Sequence, residues 1–385
     1  MTKTWWQQEL KALRQRGLYR QMRVVESCTG RVAQVGGEEK VAFCSNNYLG
    51  LADDPRVLGA VREAVGRRGW GAGASRLVSG HTEAHERLER RLARWLGKEA
   101  CLVFGSGYAA NVGMLGALAG EGDLVALDQR VHASLIDGAR LSGAQVRTYP
   151  HGRCEKLGRL LERGGYRRAL IVTESLFSMD GDAAPLGELA ELRRRYGAAL
   201  VVDEAHAAGC LGPEGRGLAA AGGVLEEVDV YVGTLSKALG GVGGFVAGSE
   251  AVVELLVNRA RSFIFSTASP AAGCAGAEAA LEVMLAEPGR RERLAANAAY
   301  LRGRLRELGH DTGGSESHIV PVVLGAAGRT MAAAAALWER GYWVAGVRPP
   351  TVRPGTSRLR VSVTSEHRRA DVEGLCRALG EVAGG

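Results

Sequence analysis

Seven short apolar runs, ACLVF, DLVALD, QVRTY, ALIVTES, ALVVDEA, VYVGT and GFVAG, follow one another between residues 100 and 248. Most are separated by helical patterns such as ASLIDGARLSG and LGELAELRRRYG. Strands that recur with a helix between them are joined by crossovers, so this rhythm predicts an α/β architecture: a mostly parallel sheet covered on both faces. In such a sheet functional residues collect at the carboxyl ends of the strands. After SFIFSTASPAAGC the pattern changes to long helices, then IVPVVLG, a helix and RLRVSVT, which predicts a smaller α+β domain. The AEPGRR break sets its boundary near 288, giving an N-terminal segment 1–50, a large domain 51–288 and a small C-terminal domain 289–385. Within the opening segment Trp6, Leu10 and Leu13 share one helical face without a core of their own, so that face is expected to dock on something, a second subunit included.

The 385 residues exceed what a single core usually supports. The longest apolar run, in MAAAAALW, is too short to span a bilayer, and the first residues lack an apolar signal-peptide core, which favours the cytoplasm. Seven cysteines (Cys28, Cys44, Cys101, Cys154, Cys210, Cys274 and Cys376) are scattered with no CxxC pair, as expected of reduced, mostly buried thiols. The formal charge of +7 comes from arginines mixed with acids in helical patterns such as HERLERRLARWLG. No zinc finger or aromatic-interleaved basic stripe accompanies them, so an anionic metabolite or carrier fits better than nucleic acid.

Three motifs point in misleading directions. GSGYAA at 105–110 follows a strand, opens a helix and has Asp128 about 20 residues on, as in a dinucleotide fingerprint. DEAH at 203–206 spells a helicase signature, but no GxxxxGK[ST] loop is present. His81 and His85 have the spacing of a zinc pair without the HExxH glutamate, and no metal site is expected.

Taken together, the strand-end residues suit a different cofactor. Lys237, in GTLSKALGG, is a lysine in a glycine-rich loop, able to form a Schiff base with pyridoxal phosphate, whose ring acts as an electron sink. Asp203, ending ALVVD, could keep the ring nitrogen protonated. Gly107 and Tyr108 offer backbone N–H groups at a helix start for the phosphate, with the Thr234 and Ser236 hydroxyls nearby. His132 could stack on the ring and His206 could reach its phenolic oxygen.

Nearly the whole chain resembles the α-oxoamine synthases, pyridoxal-phosphate enzymes of the type I aminotransferase fold. The likeness is carried by NNYLGL, GAGASRLVSG, HASLIDGARLSGA, FSMDGDAAPL, DEAHAAGCLG, GTLSKALGG and FIFSTASP. It implies a mostly parallel seven-stranded sheet in the large domain, with Lys237 as the Schiff-base lysine, Asp203 at the ring nitrogen and His132 over the ring. By the same resemblance His206 and Ser178 contact ring substituents, and Gly107, Tyr108 and Thr234 surround the phosphate. Arg360 would hold the amino-acid carboxylate, Arg20 and Thr351 would line the acyl side, and Asn46 and His132 would also meet substrate. Ser266 and Thr267 would reach the phosphate of the opposite subunit in a homodimer. RPPTVRPGTSRLRVSVTSEH at 348–367 points to the branch that condenses L-alanine with a pimeloyl thioester, on coenzyme A or an acyl carrier protein, in biotin biosynthesis. The basic excess is compatible with either carrier and inclines the reading towards the carrier protein. Alternatives are the sister ligase that joins glycine to acetyl-CoA and, more distantly, an NAD-dependent dehydrogenase or a non-catalytic homologue. The dehydrogenase leaves Lys237 and Asp203 unemployed, and a non-catalytic homologue would be expected to lose the lysine.

Overall fold

The structure is a computed structural model that describes residues 4–27 and 30–383, so Cys28 lies outside the described residues. All seven apolar runs form strands: β3 (Ala100–Phe104), β4 (Leu124–Asp128), β5 (Gln145–Tyr149), β6 (Ala169–Glu174), β7 (Ala199–Asp203), β8 (Val230–Thr234) and β9 (Gly244–Gly248). They make one seven-stranded sheet in the order β3-β9-β8-β7-β6-β4-β5. The pairs from β8 to β5 are parallel, and β9 runs antiparallel to both neighbours, β3 and β8.

Alternation along each strand divides the core into two layers. Leu124 and Ala126 of β4 join the cluster on one face, while Val125 and Leu127 join the cluster on the other. Cys101 and Val103 are likewise separated from Leu102 and Phe104 on β3. Both faces are therefore buried, as a parallel sheet requires.

The remaining strands lie in two small sheets. The hairpin β1 (Val32–Val35) and β2 (Glu38–Ala42) turns on Gly36 and Gly37, both at positive φ, the backbone that a two-residue hairpin turn demands. β2 then pairs in parallel with β11 (Tyr342–Trp343), more than 300 residues later in the chain. β10 (Ile319–Gly325), β13 (Ser357–Ser362) and β12 (Ala345–Val347) form an antiparallel sheet with β13 in the middle, which buries Arg360 between Pro321 and Ala345. The helix Gly289–Glu307 starts at the AEPGRR break. The helix Trp5–Gln15 buries none of its residues and leaves Trp5, Trp6 and Leu10 exposed.

Among the described residues no helix is long and apolar enough to cross a membrane. The six described cysteines are free, and five of them are buried.

Candidate active site

β6, β7 and β8 end side by side, and their last residues are Glu174, Asp203 and Thr234. Lys237 follows β8 by three residues, in a loop folded back by the Leu235 and Gly243 backbones. Its Nζ lies 2.9 Å from His206 Nε2. Burial lowers the lysine pKa, against the pull of Asp203 and Glu174. Burial also lowers that of His206, with the Lys237 charge adding to it, so the imidazole is neutral and its Nε2 can accept from the amine.

The other ring nitrogen of His206 stands 2.8 Å from the hydroxyl of Tyr48, a fully buried side chain. Burial pushes the phenol up to about 12, so it stays a neutral hydroxyl. That hydroxyl is also 2.9 Å from Asn46 Oδ1 and 3.4 Å from Arg360 Nη2. Arg360 is anchored from β13 by donating Nε to the Ser178 carbonyl at 2.5 Å and Nη1 to Ser362 Oγ at 2.8 Å. One buried hydroxyl thus couples the lysine side of the site to the arginine side.

Asp203 accepts from Asn111 Nδ2 at 2.7 Å and from the Ala205 N–H at 2.9 Å. Asn111 also donates to Ser134 Oγ, which lies 2.7 Å from His132 Nδ1. His132 caps the helix Ala133–Leu141, and this hydrogen-bond chain fixes its ring relative to Asp203.

Gly107 opens the helix Gly107–Leu118, capped by Ser106 accepting from the Ala109 N–H. A Cβ at Gly107 would lie 3.6 Å from Thr234 Oγ1, and one at Gly244 would come within 2.6 Å of the Gly107 backbone. Thr234 is held by Ser236 Oγ and the Gly243 carbonyl. A helix start lined by glycine and hydroxyls has the donors that suit an anion such as a phosphate. Tyr108 is half exposed, its hydroxyl donating to Asp137 at 2.5 Å.

The structure therefore brings together Lys237, His206, Asp203, Asn46 and Arg360, with Ser178 linked through its carbonyl, His132 through Ser134 and Asn111, and Gly107 through Thr234. Arg20, Thr351 and Thr267 are exposed and outside this hydrogen-bonded cluster. Arg348 donates to the carbonyls of Gly17 and Tyr19, which ties the segment carrying Arg20 to the loop carrying Thr351. Thr267 forms a β-bridge with Ser75. Sequence reasoning missed Tyr48, Asn111, Ser134 and Glu174, although Tyr48 stands inside NNYLGL, Ser134 inside HASLIDGARLSGA and Glu174 inside ALIVTES, and Asn111 directly follows GSGYAA.

The misleading motifs have other employment. Asp128 is taken by His151, 3.0 Å from its Nδ1, and by the Gly152 N–H, so it does not offer a carboxylate to a ribose. His81 accepts from Arg76 and meets Glu86, and His85 caps its own helix through Thr82.

Residues 38–379 match the aminotransferase class I and II family. The 8-amino-7-oxononanoate synthase of Anaeromyxobacter dehalogenans is 54% identical over 378 residues, 98% of this chain and 95% of that protein. A solved structure of SPT with PLP as an internal aldimine superposes with a TM-score of 0.93 at 33% identity, covering 98% of this chain and 96% of the other. The 8-amino-7-oxononanoate synthase of Francisella tularensis superposes with a TM-score of 0.77 at 26% identity, over 90% of this chain and 98% of its own. The fold and the lysine-centred site thus define an enzyme of the aminotransferase class. The chain belongs to the aminotransferase class I and II family and, within it, to the family of the 8-amino-7-oxononanoate synthases.

Proposed function

We propose that this chain condenses L-alanine with a pimeloyl thioester to give 8-amino-7-oxononanoate, carbon dioxide and the free carrier thiol, a step of biotin biosynthesis, with pyridoxal 5′-phosphate as cofactor. The observation that carries the reading is a half-buried Lys237 whose amine lies 2.9 Å from a neutral His206, on the same sheet edge as Asp203 and the Gly107 helix start.

The residues present fit that cofactor. The helix start at Gly107, with Thr234 beside it, would receive its phosphate, Asp203 its ring nitrogen, His132 one ring face, and Lys237 its aldehyde carbon. His206 and Ser178 would meet the ring substituents, and the Tyr108 N–H would join the phosphate contacts. When bound, the cofactor supplies an electron sink for negative charge at the substrate Cα.

The chain's own groups do the rest. Arg360, held on two sides with Nη2 directed towards Tyr48, would grip the alanine carboxylate and fix which Cα bond is aligned for cleavage. Lys237, its pKa lowered by burial, can hold a neutral amine that takes the Cα proton. A bond then forms between alanine Cα and the thioester carbonyl carbon, the C–S bond breaks, and the thiolate leaves and takes a proton from solvent. The bond from Cα to the alanine carboxyl breaks next, carbon dioxide departs, and Lys237 returns a proton to Cα.

The same reading places Arg20 and Thr351 on the acyl side, Asn46 and His132 against substrate, and the enzyme in the cytoplasm as a homodimer, Thr267 reaching the partner's phosphate site. The exposed Ser266 and Thr267 and the uncovered apolar face of the helix Trp5–Gln15 support that assembly. The carrier is coenzyme A or an acyl carrier protein. Incubation with pyridoxal phosphate, L-alanine and pimeloyl-CoA tests the reading: a product of the mass of 8-amino-7-oxononanoate supports it. Turnover confined to glycine with acetyl-CoA would assign the chain to the sister ligase activity.

A further inference from the structure

Two carboxyl side chains next to the proposed cofactor site differ in how they are satisfied. Glu204 accepts from Ser175 Oγ and from the N–H groups of Leu218 and Ala219, so both of its oxygens are engaged. Glu174 is 3% exposed, and its Oε1 is fully buried without a hydrogen-bond partner. The reaction described above gives it no task.

Its place in the sheet is specific. Glu174 ends β6 and is the register partner of Asp203 at the end of β7, so the two side chains emerge side by side on one face. Adjacent carboxyls in a buried site do not both ionise readily, and the better-satisfied one keeps the charge. Asp203 has the Asn111 amide and the Ala205 N–H to stabilise its anion. Burial and the Asp203 charge push Glu174 up to about 8, against the pull of Lys237 and of the backbone N–H groups of His132 and Ser178. The other charged groups near this edge are already paired or engaged: Asp128 with His151 at the end of neighbouring β4, and Glu204 with its three donors. An ionised Glu174 would also hold Lys237 in its ammonium form, since its charge raises the lysine pKa.

We propose that Glu174 is a positioning residue: a neutral carboxylic acid at physiological pH that sits between the His132 and Ser178 backbones, steadies those two loops around the cofactor, and leaves Asp203 as the charged member of the pair. It thereby keeps Lys237 free to lose its proton. This inference rests on the pyridoxal-phosphate reading of the site.

Glu174→Gln keeps the shape and the neutral state, and Glu174→Ala removes both. Infrared difference spectra of the full chain, with and without pyridoxal phosphate, should show a protonated carboxyl stretch at pH 7 that fades as the pH rises through about 8 and is missing in Glu174→Gln. Cofactor affinity, read by fluorescence titration, should stay within about threefold of the parent in Glu174→Gln and weaken by about tenfold or more in Glu174→Ala. The parent's affinity should fall at alkaline pH on the same titration, and that limb should be absent in Glu174→Gln. A carboxyl band unchanged by Glu174→Gln, or about a tenfold loss of affinity in Glu174→Gln at pH 7, overturns the assignment. If Glu174→Ala does not fold, the Gln variant and the infrared band decide alone. These readouts need no acyl substrate, so failure to form 8-amino-7-oxononanoate with tight cofactor binding would count against the condensation and leave Glu174 to its own test.

Discussion

Replacing Gly244 and Gly107 one at a time separates how the proposed phosphate cradle is built from how it is used. Gly244 opens β9, paired with Phe104 on one side and Thr234 on the other. A Cβ there would lie 2.6 Å from both N and Cα of Gly107, whereas carbon atoms settle at roughly 3.5 Å. The shortfall falls on backbone atoms on both sides, in a strand hydrogen-bonded along both edges, so no flexible side chain can relieve it. Gly244→Ala is expected to cost about 1–3 kcal/mol of folding stability, the usual penalty of overpacking. At Gly107 the added Cβ meets Thr234 Oγ1 at 3.6 Å and Cβ at 3.7 Å, both ordinary contacts. Gly107→Ala should therefore leave the cofactor-free protein within about 0.5 kcal/mol of the parent. The same methyl group stands at the helix start assigned to the phosphate and is expected to weaken pyridoxal phosphate binding by about tenfold, roughly 1.4 kcal/mol. Urea unfolding of the cofactor-free proteins and fluorescence titration with pyridoxal phosphate measure the two quantities separately. A Gly107→Ala protein that binds the cofactor as tightly as the parent would refute the cradle, and a Gly244→Ala protein that unfolds at the parent's midpoint would refute the packing argument.

Borohydride treatment of the parent with pyridoxal phosphate should fix the cofactor on the peptide containing Lys237, and Lys237→Ala should abolish both the labelling and turnover; label on another lysine would move the site. Tyr48→Phe removes the hydroxyl shared by His206, Asn46 and Arg360, leaves a buried imidazole nitrogen unpaired, and is expected to cost about 1–3 kcal/mol in stability and to raise KM for alanine more than it lowers kcat; an unchanged unfolding midpoint would contradict it. His151 bridges Asp128 and Asp182, hydrogen bonds that raise its pKa to about 9 despite burial. A raised folded-state value means that the histidine's contribution is fully present below its unfolded pKa of about 6.5 and is lost as the pH climbs towards the folded value. Urea unfolding across that window should show stability falling with pH in the parent and a flatter profile in His151→Gln; equal slopes would remove His151 as the cause.

The central sheet was legible because each of its strands announces itself locally, as an apolar run bounded by a turn, and ALVVD and VYVGT deliver Asp203 and Lys237 to one edge by topology alone. Lys237, His206 and Asp203 followed from residue types that the proposed chemistry requires, whereas Arg360 came from the family resemblance carried by RLRVSVT. Tyr48 and Asn111 were hidden because their roles come from nonlocal hydrogen bonds, to His206 158 positions away and to Asp203 92 positions away. Glu174 reads in the sequence as the polar end of a strand, and only its register with Asp203 and its unpaired oxygen distinguish it. The pairing of β2 with β11 was equally invisible, since two residues of strand, Tyr342 and Trp343, carry no periodicity. The Asp128 spacing misled because a fingerprint records sequence distance, while the side chain had already been taken up by His151.

The most direct test of the whole account is the fate of carbon-labelled L-alanine in a reaction with pimeloyl thioester and pyridoxal phosphate. With label at C1 the account expects one labelled carbon dioxide per 8-amino-7-oxononanoate formed and none of the label in the product; with label at Cα all of it should appear in the product. Retention of C1 in the product, or faster turnover of glycine with acetyl-CoA than of alanine with the pimeloyl donor, would contradict it.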